Sequence, residues 1–171
     1  MNAASVFEAG FRLHPLDRRH LDRTLAWAND ANLCRLLGKT PGISREEHER
    51  WFASLADRDD CRYFAVESGD GRHLGNVWLW AIDRRHAKAE LRIVLPESET
   101  GRGVGPQVID LACTYAFADL GLHRVYAYVL EPNQRAVRAF EKAGFVIEGR
   151  LRHDRQQEGR FVDTYLLARL A

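Results

Sequence analysis

Gly101, Gly103 and Gly105 recur at every second position in a short loop that runs into an apolar-periodic stretch, Val104, Val108, Leu111, Ala112 and Tyr115. A loop of this kind lets successive backbone N–H groups point at one spot. Placed at a helix N-terminus, where the helix dipole favours negative charge, it suits an anion such as a pyrophosphate. Pro106 stands where a dinucleotide fingerprint needs a third glycine, and the Gly-Lys-Ser/Thr of a nucleotide-triphosphate loop is missing. Pro106 is suited to a first helical turn, because its absent N–H would be unpaired there. The plain alternative is a tight turn into a helix, and the loop alone does not decide between the two.

Other chemistries find little footing. The seven histidines show no His-Glu-x-x-His or paired ligand spacing, so no metal is expected. A Gly-x-Ser-x-Gly elbow and a Cys/His nucleophile pattern are missing too, which disfavours a covalent acyl-enzyme. Cys34, Cys61 and Cys113 are odd in number and widely spaced, as buried thiols of a reducing cytosol would be.

The elements that position the loop follow from periodicity. Residues 11–16 alternate as a first strand. Helical spacing marks 19–29, and Ser44 with Glu47 forms a capping box for a helix carrying Trp51, Phe52 and Leu55. Strands are expected at 63–66, 76–82 and 89–95. On the middle one Asn76, Trp78, Trp80 and Ile82 share a face, with Val77, Leu79 and Ala81 opposite. The glycine loop and its helix follow, then a strand at 123–130, a helix from Asn133 to Ala143 stopped at Gly144, and strands at 145–151 and 164–170. This order is neither regular βαβ alternation nor all-β, and reads as an α+β sheet with helices on both sides.

Length and charge bound the partners. The 171 residues suit a single domain spanning 1–171, without repeats or linkers. Lys plus Arg is 25 against 24 for Asp plus Glu, which argues against a nucleic-acid binder. No apolar run reaches the roughly 20 residues of a membrane span, and no signal peptide is evident. A cytoplasmic chain without membrane or nucleic-acid partners is expected.

Taken with the loop, the stretch Asn133-Gln134-Arg135-Ala136-Val137-Arg138-Ala139-Phe140-Glu141-Lys142-Ala143-Gly144-Phe145 resembles the GNAT superfamily of acyl-CoA N-acyltransferases. That family's loop reads Gln/Arg-x-x-Gly-x-Gly/Ala, and its later helix Asn-x-x-Ala-x-x-x-Tyr-x-Lys-x-Gly-Phe. The likeness is nearest to the RimJ/RimL-type branch, through Ala26-Trp27-Ala28-Asn29-Asp30, the Glu46-Glu47-His48 to Trp51-Phe52 helix and Glu148-Gly149-Arg150-Leu151-Arg152. It covers almost the whole chain. It implies a GNAT fold: a mixed, mostly antiparallel central sheet of about seven strands with helices on both faces.

The resemblance implies transfer of an acetyl group from acetyl-CoA to a primary amine by direct attack in a ternary complex. The acceptor stays open among a protein N-terminus, an amino sugar or sugar nucleotide, and a polyamine or aminoglycoside, with a slight edge to the N-terminus from the branch alone. Acetyl-CoA would lie between strands 89–95 and 124–130, its pyrophosphate on residues 102–107, which include Arg102, Gly103, Val104, Gly105 and Gln107. A backbone N–H near Val94 or Leu95 would face the oxyanion, Asn133 the pantetheine arm or thioester, and Arg138 and Lys142 the phosphates. Each has a bland alternative: a helix N-cap for Asn133 and solvated surface charges for the cations.

An alkyl ammonium of pKa ~10 is no nucleophile at neutral pH, so a base must take its proton. Glu90 is the first candidate, against a strand Glu paired with Arg92; His86 and Asp83 come next, against exposed turn residues. Trp27, Trp51, Trp78 and Trp80 either shape the acceptor pocket or fill the core. Two positions depart from the family pattern. Thr100 replaces the Gln or Arg that opens the loop motif, and Phe140 replaces a tyrosine thought to protonate the leaving thiolate. They motivate the alternative of a non-catalytic acyl-CoA-binding sensor or scaffold. Family members are frequently dimers, which extends to a homodimer here.

Overall fold

The computed structural model describes residues 6–8, 10–101 and 103–171. One sheet carries the fold. Its strands are β1 (Val6–Glu8), β2 (Phe11–Pro15), β3 (Arg62–Ser68), β4 (His73–Asp83), β5 (Lys88–Val94), β6 (Arg124–Leu130), β7 (Val146–Gln157) and β8 (Arg160–Leu170), in the order β1-β2-β3-β4-β5-β6-β8-β7. All neighbours pair antiparallel except β5 and β6. The seven expected strands are present, and three-residue β1 adds an eighth at the edge.

Helices cover both faces. α1 (Leu21–Ala28), α2 (Ala31–Leu37) and α3 (Arg45–Ser54) precede β3; α4 (Val104–Thr114) and α5 (Gln134–Lys142) follow β5 and β6. The main core joins Leu13, Phe64, Val77, Leu79 and Leu91 of the sheet to Val108, Ile109 and Leu111 of α4 and Val137 and Phe140 of α5. A second cluster on the opposite face joins Leu33 of α2 to Trp78 and Val94, with Trp27, Tyr63 and Trp80 against it. The capping box expected for α3 forms in both directions: Glu47 N–H donates to Ser44 Oγ at 3.1 Å and Ser44 N–H to Glu47 Oε2 at 2.8 Å.

Three features differ from the sequence expectation. α2 was not expected; two turns are too short for a clear period, although Asp30 caps it by accepting the Leu33 N–H at 2.9 Å. Ile82 does not share the face of Trp78 and Trp80. The β4–β5 register shifts between Trp80 and Asp83, with Ala81 at φ +50°, and Ile82 turns into the main core beside Val77 and Leu79. The last hairpin is longer than expected, because its distal half is exposed and lacks the alternation that marks a half-buried strand.

Candidate active site

The parallel pair β5–β6 is short. Lys88 pairs with Arg124, Ala89 with Val125 and Glu90 with Tyr126, and the register ends there. Each strand keeps its outer partner beyond that point, β5 with β4 as far as Val94 opposite Asn76 and β6 with β8 as far as Leu130 opposite Thr164. The two strands therefore part, and a wedge opens in the middle of the sheet. Gly75 sets the end of β5: a Cβ there would lie 2.4 Å from the Val94 carbonyl oxygen and 2.5 Å from Leu95 Cδ2. The sequence reading missed Gly75, since only its neighbour across the sheet explains it.

The wedge continues into a groove. Ile93, Val94 and Leu95 line it with Gly101, Gly103, Gly105 and Pro106 of the loop, Asn133, Arg138 and Lys142 of the α5 segment, and Leu36 and Leu37 of α2. Gly103 is the N-cap of α4 at φ +76° and supplies no side-chain cap, so the first N–H groups of α4, beside the groove, have no side-chain acceptor from the cap. Val104 buries its side chain in the core and has only its backbone to offer, while Gln107 is exposed beside Gly103. Arg102 lies outside the described residues. Thr100 donates to the Glu97 carbonyl at 2.6 Å and accepts from Arg135 at 3.0 Å. The sequence reading overlooked Arg135, which brings a guanidinium to the groove wall where Thr100 lacks the family's longer side chain.

At the apex of the wedge Glu90 is 8% exposed, and both its oxygens are held by Arg92, Nε at 2.6 Å and Nη2 at 2.9 Å. This is the ion pair weighed from sequence as the alternative to a free base. Glu90, Arg92, Lys39, Tyr128, Asn133 and Phe140 border one pocket. Asn133 caps α5, accepting the Ala136 N–H at 3.2 Å, and its amide donates to the Leu36 carbonyl at 3.2 Å, which ties α2 to the groove. Phe140 is buried edge-on to Phe145 at 4.9 Å, while Tyr128 and Thr164 bring hydroxyl-bearing side chains to the border of the same pocket. Burial, and then the nearby Glu90, raise the pKa of Tyr126. Asp83 ends β4 and His86 lies in the turn to β5, where the Asp83 carboxylate accepts the His86 N–H at 2.9 Å; neither borders the wedge.

On the face of α1–α3 a cavity of about 630 Å³ adjoins the apex. Trp27, Trp51, Trp78 and Trp80 all wall it, with Tyr63 stacked on Trp78 at 5.5 Å. Trp78 is also buried in the second cluster, so pocket and core roles coincide. Burial pushes the Tyr63 hydroxyl up to about 12. Lys39, Trp78 and Arg92 border both this cavity and the apex pocket.

A wedge between parallel strands that leads from a glycine loop at a helix N-terminus to a walled cavity suits a long anionic carrier brought against a second substrate. The acetyltransferase (GNAT) domain family matches residues 11–146 of the chain. The chain belongs to the GNAT acetyltransferase family. A spermidine N(1)-acetyltransferase of Escherichia coli is 30% identical over 143 residues, covering 84% of this chain and 76% of that protein. The crystal structure of Vibrio cholerae spermidine N-acetyltransferase in complex with CoA and spermine superposes with a TM-score of 0.91 at 29% identity, covering 95% of this chain and 96% of that one. A dodecameric structure of the same Vibrio cholerae enzyme in an intermediate state gives 0.83 at 28% identity, covering 95% of each chain.

As a GNAT acetyltransferase the chain carries acetyl from acetyl-CoA to a primary amine. Among the described residues no helix is long and apolar enough to cross a membrane. The segment Glu148 to Arg152, which carried part of the RimJ/RimL likeness, has structural partners: Glu148 pairs with Arg124 and Arg150 with Asp163 at 2.5 Å. The Escherichia coli and Vibrio cholerae relatives bear the name of spermidine acetyltransferases, while more distant ones are named only as N-acetyltransferases.

Proposed function

We propose that the amine is acetylated in a ternary complex at the β5–β6 wedge, with the acetyl-CoA pyrophosphate on the N–H groups of residues 103–107 and the thioester at the apex. The parting of β5 from β6 beyond Glu90 and Tyr126 carries this reading, because it frees the β6-facing edge of β5 just where the groove meets the acceptor cavity. A backbone N–H of Val94 or Leu95 on that edge faces the oxyanion that develops on the thioester carbonyl. It needs no reorganisation during the reaction.

Glu90 is the carboxylate on the apex wall and takes the proton of the incoming ammonium, directly or through water. The neutral amine attacks the carbonyl and the N–C bond forms; the nitrogen then gives its second proton to water as the C–S bond breaks. CoA departs as thiolate, and a thiol of pKa ~8.5 leaves readily in that form, so Phe140 in place of a hydroxyl donor is no obstacle. The thiolate takes its proton from solvent after release. Asn133 fixes the α5 wall of the groove and keeps a second amide hydrogen for the pantetheine arm, while Arg138, Lys142 and Arg135 meet the phosphates.

The RimJ/RimL-type branch and its protein N-terminal acceptor draw no support from the relatives' names; spermidine, the acceptor in those names, is another amine of the same reactivity. Self-association is the proposed state, supported by the dodecamer of the Vibrio cholerae enzyme and by the exposed Val146, Phe161 and Leu170 on β7 and β8. Three free, buried cysteines support a cytoplasmic setting. Thiol release from acetyl-CoA with a panel of primary amines tests the function. Amine-dependent release that Gly103→Val abolishes supports it; release without any amine dependence contradicts it.

A further inference from the structure

The acceptor cavity has an unexpected charge for an enzyme whose relatives are named for a polyamine. Its walls carry Lys39, Arg58 and Arg92 against a single carboxylate, Glu47. Glu47 is already engaged at the start of α3, accepting the Ser44 N–H at 2.8 Å. Arg58 is paired with Asp60 at 2.8 and 2.7 Å, and Arg92 with Glu90. Lys39 has no carboxylate partner among the described residues; it follows the αL cap Gly38 at the end of α2 and reaches into the cleft. Burial, and then the nearby Arg92, lower its pKa.

Aromatic walls alone would suit a cation. Here cations of the protein already stand beside three of the four indoles. The Arg58 guanidinium lies 4.1 Å from the Trp80 ring, with Arg92 at 5.4 Å from the same ring. Lys39 Nζ stands 5.5 Å from Trp78, and Arg23 5.4 Å from Trp27. Trp51 faces the rings of His48 at 5.0 Å and Tyr63 at 5.4 Å. A polycation entering this cavity finds no uncommitted carboxylate on its walls, and meets Lys39, which has no carboxylate partner among the described residues.

We propose that the acceptor is a primary amine that also carries an anionic group, a carboxylate or a phosphate, which pairs with Lys39 while the amine turns toward Glu90 and the thioester. Lys39 and Glu90 border the same apex pocket, so a single small acceptor such as an α-amino acid or an aminoalkyl phosphate would turn its anion to one and its amine to the other. The apolar body of the acceptor lies against the tryptophan walls. This inference rests on the acetyl-transfer reading and narrows its acceptor.

The test measures CoA thiol release with amine pairs that differ only in the anion, L-phenylalanine against phenethylamine and O-phosphoethanolamine against ethanolamine, with spermidine alongside. At least one anionic amine is expected to exceed its neutral partner at least tenfold in kcat/KM, with spermidine below it; the two pairs tell carboxylate from phosphate. Lys39→Glu is expected to lower the anionic amine at least tenfold and to raise spermidine, a gain that an unfolded variant cannot show. A wild-type enzyme that binds acetyl-CoA in calorimetry but prefers spermidine or the neutral amines overturns the acceptor class and leaves acetyl transfer standing. An order of preference unchanged by Lys39→Glu also overturns it. Lack of acetyl-CoA binding together with lack of thiol release for every amine overturns both.

Discussion

Glu90 and Tyr126 are the last paired residues of the parallel β5–β6 ladder, and the wedge opens directly beyond them. The relationship fixes the site's geometry. On one side of this pair the strands are locked in register; on the other the free edge of β5 runs past the glycine loop. A buried carboxylate thus sits at the vertex, where two substrates entering from opposite faces of the sheet would meet.

The protonation state of the amine makes Glu90 testable. Glu90→Gln keeps the size and removes the basicity, so the rate at neutral pH is expected to fall about 10²–10⁴-fold. It should recover as the pH approaches the amine's own pKa, where free amine needs no base. Acetyl-CoA affinity should barely change. A pH–rate curve that overlays wild type would leave Glu90 as only the partner of Arg92.

Gly75 is held to its size by the Val94 carbonyl and Leu95. Gly75→Ala must push the end of β5 toward the wedge, at a cost of about 1–3 kcal/mol in stability. Because that end bears the proposed oxyanion donor, kcat should drop as well. Denaturant melts and steady-state kinetics check both; a variant as stable and as active as wild type would show that the strand end yields freely.

Asn133→Ala removes the cap of α5 and the link to Leu36. About 1 kcal/mol of stability should go with the cap, and KM for acetyl-CoA should rise. If stability falls while the kinetics stay unchanged, Asn133 is a cap alone.

Glu67 is nearly buried among Arg12, Arg19 and His20, with His20 Nε2 at 3.0 Å and Arg19 at 2.8 Å. Burial alone would raise its pKa, but hydrogen bonds from His20 and Arg12 outweigh this and hold the carboxyl below the usual range. A carboxylate with a depressed native pKa stabilises the fold above its unfolded value of about 4.3, and that stability is lost as pH falls through the native value. Glu67→Gln should therefore cost about 3–5 kcal/mol at pH 7 and much less near pH 3. Urea melts at the two pH values check it; an equal loss at both would contradict the linkage.

What the sequence shows directly are features set by local backbone chemistry: the glycine loop, the Ser44–Glu47 box, the Asn133 cap and the alternation of Val77 to Trp80. Glu90 and Arg92 are legible as a same-face pair because strand side chains repeat every two residues. The rest depends on contacts between distant segments. α2 is too short to show a period, and Ile82 changes face only because a bulge forms at Ala81. Gly75 is explained by Val94 across the sheet. Lys39 reads as an ordinary loop lysine until the fold brings it between Trp78 and Arg92.

The central claim is that the wedge between β5 and β6 receives the acetyl thioester. A crystal structure with acetyl-CoA bound tests it most directly. The account expects the pyrophosphate on the N–H groups of residues 103–107, the pantetheine between β5 and α5, and the thioester carbonyl oxygen within hydrogen-bonding distance of the Val94 or Leu95 N–H. Acetyl-CoA bound with its pyrophosphate away from the loop, or with its thioester outside the wedge, would contradict it.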